Sequence, residues 1–248
     1  SSLTFAPEAG SQRMRDVINK GLTEEDILEG AGQAFEGGWN KVKLYFMLGL
    51  PTETEEDMRE IARLSDRVAR RYYEIPKEQR NGKCQITASS AFFVPKPFTP
   101  FQWASMLSAE EYTRRASVVK EEFQAQLNRK SLKYNWHDAQ TTVLEGVMAR
   151  GDRKVGRVVE EAYRLGCLFD SWTECFRNDL WMLAFENTGV DIDFYNLRQR
   201  GDDELFPWDF IDIGVSRRFL RREWEKAMKG EVTPNCRMQC SGCGAASF

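Results

Sequence analysis

Cys236, Cys240 and Cys243 stand in CxxxCxxC spacing within the last thirteen residues of a 248-residue chain. Thiolates so spaced, on a loop carrying Pro234 and Gly242, can converge on one metal. Zinc and an auxiliary iron-sulfur cluster both fit. The fourth ligand would come from Cys84, Cys167, Cys175 or the single histidine, His137. The plain alternative is three reduced thiols in an exposed tail. Singly, Cys84, Cys167 and Cys175 read as small apolar core residues, and His137 beside Asp138 as a hydrogen-bonded structural histidine.

A second stretch with chemical promise is KVKLYFMLGLPTETEED, residues 41–57. An apolar run, too short for a membrane span, ends at Gly49 and passes directly into a capped, charged helix. A buried parallel strand delivers its carboxyl end to a turn in this way, and α/β folds bind ligands at that edge. A small molecule is therefore expected over Gly49. Two basic clusters, Arg150 with Arg153 and Lys154, and Arg217, Arg218, Arg221 and Arg222, lie near aromatics and suit RNA. Glu223 and Glu225 beside the second favour an ordinary solvated helix face.

The elements that must hold these residues follow from periodicity. Strands are predicted at 3–6, 42–48, 85–94 and 131–136, alternating with helices opened by Ser11, Thr23, Thr54 and Ser108. Ile27, Leu28, Ala31, Ala34 and Phe35 make one helical stripe; Met58, Ile61, Leu64 and Val68 make another. Beyond residue 130 the chain reads as mainly helical, with stretches at 139–165 and 215–229, and Phe206, Trp208, Phe210 and Ile211 as packing onto the earlier half. A boundary is set near 130: residues 1–130 form a core and 131–248 an extension with a cysteine-rich tail. Parallel strands call for neighbours and for helices on both faces, so three or four strands opening the chain point to a cropped barrel or half-barrel with earlier strands upstream, the alternative being a small open sheet complete in itself. Net charge is −3 and the pI near 5.5, which exclude a global field for nucleic acid. With neither a signal-like start nor an apolar span, the expected compartment is the cytoplasm, and reduced or metal-bound cysteines are favoured over disulfides.

Taken in order, FAPEAGS, INKGLTEED, LYFMLGLPTETEED and SAFFVPKPFTPFQW resemble the second half of a radical S-adenosylmethionine (SAM) core domain. WHDAQTTVLEGVMARGDRKVG and CLFDSWTEC extend the resemblance to a cobalamin-binding branch of that superfamily. The resemblance implies an α/β fold, a partial (β/α) barrel followed by a helical extension. It implies a barrel that holds SAM against a 4Fe-4S cluster, whose electron cleaves SAM to a 5′-deoxyadenosyl radical. It places Glu8 on the ribose hydroxyls, with Ser11 beside it or simply capping a helix. It places Lys20 at the SAM carboxylate, where relatives use Arg, and Met47 against the adenine, where they use Ile. Gly49 would let the backbone approach the base, and Phe93 and Val94 would close over it. Tyr45 stands where some relatives carry an acid, which leaves the second ribose contact without its residue.

The family sets its cluster cysteines after the first barrel strand, whereas the trio at 236–243 has only five residues after it. The cluster ligands are thus expected upstream, and the chain alone is expected to be catalytically silent. The functional expectation is part of a radical SAM enzyme. The alternatives are a non-catalytic RNA- or protein-binding module and a metal-binding structural domain.

Overall fold

The computed structural model describes residues 2–245. Four strands, β1 (Leu3–Glu8), β2 (Lys41–Leu48), β3 (Gln85–Phe92) and β4 (Leu132–Trp136), form one parallel sheet in the order β1-β2-β3-β4. Each predicted strand is present, and the register is continuous from β2 to β4: Val42 pairs with Ile86 and Ile86 with Leu132. Between them run α1 (Gln12–Val17), α2 (Glu24–Glu36), α3 (Glu55–Glu74) and α4 (Ala109–Ala125).

The strand order never reverses. Right-handed crossovers in such a sheet return every helix to the same face. The burial pattern of the strands agrees. Val42, Leu44, Phe46 and Leu48 are buried, as are Ile86, Ala88, Ser90 and Phe92. The alternate positions, Lys43, Tyr45, Lys133 and Asn135 among them, are half-buried or exposed, apart from the small Ser89, which is buried. The expectation of helices on both faces is therefore corrected. One face is apolar and covered, and the other is polar and accessible.

Local sequence explains the helices. Thr23 with Asp26, and Thr54 with Asp57, close reciprocal capping boxes at the starts of α2 and α3. Met58, Ile61, Leu64 and Val68 of α3 are all buried, each adding about 1.5–3 kcal/mol to folding. In α2, Ile27, Ala31 and Phe35 are buried, while Leu28 and Ala34 are half-buried.

Contacts divide the chain into two compact units that interleave in sequence. One comprises Ser1–Phe93, Glu111–His137 and Arg221–Ser241; the other comprises Val94–Glu110, Asp138–Leu220 and Gly242–Phe248. The second is helical, with α5 (Ala139–Arg150), α6 (Val155–Leu165), α7 (Asn178–Thr188) and α8 (Ile192–Asn196). Val147, Val158, Ala162, Trp181, Ala184 and Phe185 are at the centre of its core. The single helix expected at 139–165 is in fact two, because Gly151 leaves the helical path and Asp152 accepts the Lys154 N–H at 2.8 Å. The helix expected at 215–229 is α9 (Arg217–Lys229).

Phe206 and Trp208 are buried beside Trp103, as packing residues should be. Phe210 and Ile211 are not: both are exposed, so their expected packing role is corrected. No helix among the described residues is long and apolar enough to cross a membrane.

Candidate functional site at the carboxyl edge of the sheet

Parallel sheets offer ligands the ends where the strands stop, and here β1 and β2 stop in unusual backbone. Glu8, the last residue of β1, has φ +67°, just after an irregularity in the β1–β2 pairing. A left-handed non-glycine residue at a strand end is costly backbone that the surroundings must hold. Two features of the following loop do so. Arg15 is fully buried and donates to the Ala9 and Gly10 carbonyls, both at 3.0 Å. Gly10 lies so close to α3 that an added Cβ would sit 2.2 Å from the Ile61 nitrogen.

The β2 exit is held from two sides. Gly49 has φ +89°, and its N–H donates to Glu53 Oε2 at 2.8 Å. Glu53, with a side chain only 3% exposed, also meets Arg115 of α4 at 2.9 Å. Burial pushes its carboxyl up to about 7, only partly opposed by the Gly49 N–H and the Arg115 guanidinium. On the other side Arg13 of α1 donates to the Thr52 carbonyl at 2.7 Å and pairs with Asp57. Thr52 is itself left-handed, at φ +67°. Burial alone would raise the Asp57 carboxyl. Hydrogen bonds from Arg13, Thr54 and Ser11 more than offset that and hold it well below the usual range.

The residues expected to hold a nucleoside cofactor fall as follows. Glu8 and Lys20 meet, Nζ to Oε1 at 3.3 Å, and both side chains keep solvent access. Ser11 caps α1 by accepting the Met14 N–H at 3.1 Å, and it donates to Asp57 at 2.7 Å. Its hydroxyl proton is thus committed to the protein. Met47 is half-buried on the accessible face of the sheet, which it shares with Tyr45. Gly49 occupies the turn at the β2 end. Phe93 is buried and donates its N–H to the Leu48 carbonyl at 2.9 Å. Val94 is buried too and begins the second unit.

Glu53, Arg115, Arg13, Asp57 and Arg15 were not foreseen as site residues. The signal for Glu53 lay in the same motif as Gly49, since a carboxylate four positions after a turn glycine can reach back to its N–H, and Asp57 stood at the third helical position after the Thr54 cap. Arg15 and Arg115 gave no such sign, since arginines on helices usually face water.

The terminal thiols keep solvent access. Cys236 and Cys240 are exposed and Cys243 is half-buried. Among the described residues no three or more His, Cys, Asp or Glu side chains are grouped to hold a metal ion. Cys84 and Cys167 are buried, as core residues are, and burial pushes the Cys84 thiol up to about 12. Of the basic clusters, Arg150 is fully buried and unavailable to phosphate. Arg217, Arg221 and Arg222 pair with Asp209, Glu225 and Glu223.

The chain is similar to an uncharacterised protein of Methanocaldococcus jannaschii, at 30% identity over 189 residues. That match covers 76% of this chain and 39% of the archaeal protein, so the chain spans well under half of its relative's length. No family profile and no solved structure matches.

Proposed function

We propose that this chain is part of a radical SAM enzyme, and that the carboxyl ends of β1 and β2 receive the adenosyl and ribose part of the cofactor. The observation that carries the reading is the sheet itself. A parallel order that never reverses, with its helices on one face, is what a segment of a (β/α) barrel presents. A doubly wound nucleotide-binding sheet reverses its order and is covered on both sides.

The residues present suit the group. Glu8 offers two acceptor oxygens to a ribose diol, and Lys20 offers a cation to a carboxylate. In the free chain the two pair with each other at the strand end, and both side chains keep solvent access. Gly49 leaves the space beside the β2 end without a Cβ, and the Glu53–Arg115 pair fixes the direction of its N–H. Met47 supplies a polarisable thioether on the accessible face. When bound, the group supplies one-electron chemistry through a 4Fe-4S cluster whose ligands belong to sequence outside this chain. The greater length of the archaeal relative is compatible with such a parent. No role in this reading is assigned to the terminal cysteines, and cobalamin enters it only through the family resemblance.

Calorimetric titration of SAM into the chain and into its longer parent tests the proposal. Glu8→Ala is expected to weaken binding by about 1–3 kcal/mol, the cost of losing a charged acceptor. An unchanged dissociation constant removes Glu8 from the site. Absence of SAM binding by the parent sinks the reading and favours a non-catalytic module.

A further inference from the structure

The second unit holds a cavity of about 460 Å³ that the proposed function does not use. Its size is that of a small-molecule site. Three features mark it. The first is its floor. Gln102 lines the cavity and is 3% exposed. Its Oε1 accepts from the Phe98 N–H at 3.2 Å and from Trp208 Nε1 at 2.9 Å. Those two donors fix which end of the amide is oxygen. The nitrogen, in turn, donates to no protein group among the described residues. Gln102 is a lining residue of the cavity, so this amide nitrogen is the donor it has left to offer there.

The second feature is strain. Phe98, on the wall, has φ +59°, a region a bulky residue occupies only when its surroundings insist. The Gln102 oxygen holds the Phe98 N–H, so the residue that presents the free donor also holds the strained wall. The third is the rim. Leu205 is 84% exposed and Phe210 85%, with Ile211 and Ile213 exposed beside them. Such a cluster of exposed apolar side chains around a concavity is a mark of binding.

Charge narrows the ligand. Asp209, Asp212 and Arg217 line the cavity, and Arg217 already pairs with Asp209 at 2.6 Å. The lining therefore carries a net charge of −1, which disfavours anions. An amide N–H donor on the floor suits a molecule bearing a carbonyl or ring-nitrogen acceptor.

We propose that this cavity binds an uncharged, chiefly apolar organic molecule that presents a carbonyl-type acceptor to the Gln102 amide. The assignment is independent of the SAM reading and survives its failure.

Prodan, a neutral naphthalene ketone whose emission reports both apolar burial and hydrogen bonding at its carbonyl, is the probe. Titration of the whole chain is expected to give saturable binding at one site, with blue-shifted emission. Gln102→Glu keeps an oxygen for Phe98 and Trp208 but replaces the donor with an acceptor. It should weaken binding about tenfold, the equivalent of one lost hydrogen bond. Because a buried substitution can disturb folding, Phe210→Ser on the exposed rim is the second variant, and it should weaken binding by a similar factor. Leu127→Ser, which removes an equally exposed apolar side chain not on the cavity, should change nothing. Unsaturable binding, or binding indifferent to both Gln102→Glu and Phe210→Ser, overturns the proposal. So does a sedimentation result in which the chain self-associates and Phe210→Ser abolishes it, since the rim is then an interface between copies.

Discussion

Glu53 lies in surroundings far from a carboxylate's ordinary ones, and the departure has a measurable consequence. Folded, its carboxyl keeps a proton up to about 7; unfolded, it loses it near 4.5. Between those values the folded chain binds more protons. Its contribution to stability is therefore full below about 4.5 and is lost as pH rises through 7. The swing is on the order of 3 kcal/mol. Glu53→Gln keeps an oxygen for the Gly49 N–H and removes the titration, while Arg115 retains Glu111 at 2.8 Å. Urea unfolding at pH 5 and pH 8 should show a smaller difference between the two conditions in the variant. An identical difference means Glu53 does not titrate in this range. Gly10 makes a second case. A Cβ there would meet α3 backbone, which cannot swing aside as a side chain can. Gly10→Ala is expected to cost about 1–3 kcal/mol in the same assay, the usual range for overpacking.

The strands and helices of the sheet were legible in the chain because their signals are local. Ser11, Thr23 and Thr54 each cap the helix predicted from them. What escaped was the face each strand presents. Residues 41–48 carry an alternation, with Lys41, Lys43 and Tyr45 between Val42, Leu44 and Phe46, yet they read as one apolar run because Met47 and Leu48 blur its end. The break at Gly151 escaped as well, since apolar periodicity continues on both sides of it and an isolated glycine is tolerated within a helix. The clamp on the β2 exit joins α1 to the start of α3, a distance in sequence that no local pattern reports. It can be tested as a unit. Asp57→Ala removes the capping box partner and the acceptor of Ser11 and Arg13 at once, and should cost about 1–3 kcal/mol. Ser11→Ala in that background should add less than it costs alone, because its Asp57 contact has already gone. Full additivity in a double-mutant cycle shows that the two act separately.

For the molecule as a whole, the division into two units sets how it should come apart. The candidate cofactor residues other than Val94 lie in the sheet unit, while the Gln102 cavity lies wholly in the helical one. Each unit has its own apolar core: Leu64 is fully buried in the first, and Phe185 sits within the helical cluster of the second. Large-to-small substitutions in such cores cost about 2–5 kcal/mol. If each unit unfolds on its own, denaturation in urea followed by far-ultraviolet circular dichroism and by tryptophan fluorescence should not coincide. Leu64→Ala should then lower the midpoint of one transition and Phe185→Ala that of the other. Saturating Prodan should raise only the transition that Phe185→Ala lowers, because a ligand stabilises the folded state it binds. A single transition, shifted alike by both substitutions and by the ligand, means that the two units fold as one cooperative body. In that case neither the cavity nor the sheet edge could open or close without the other.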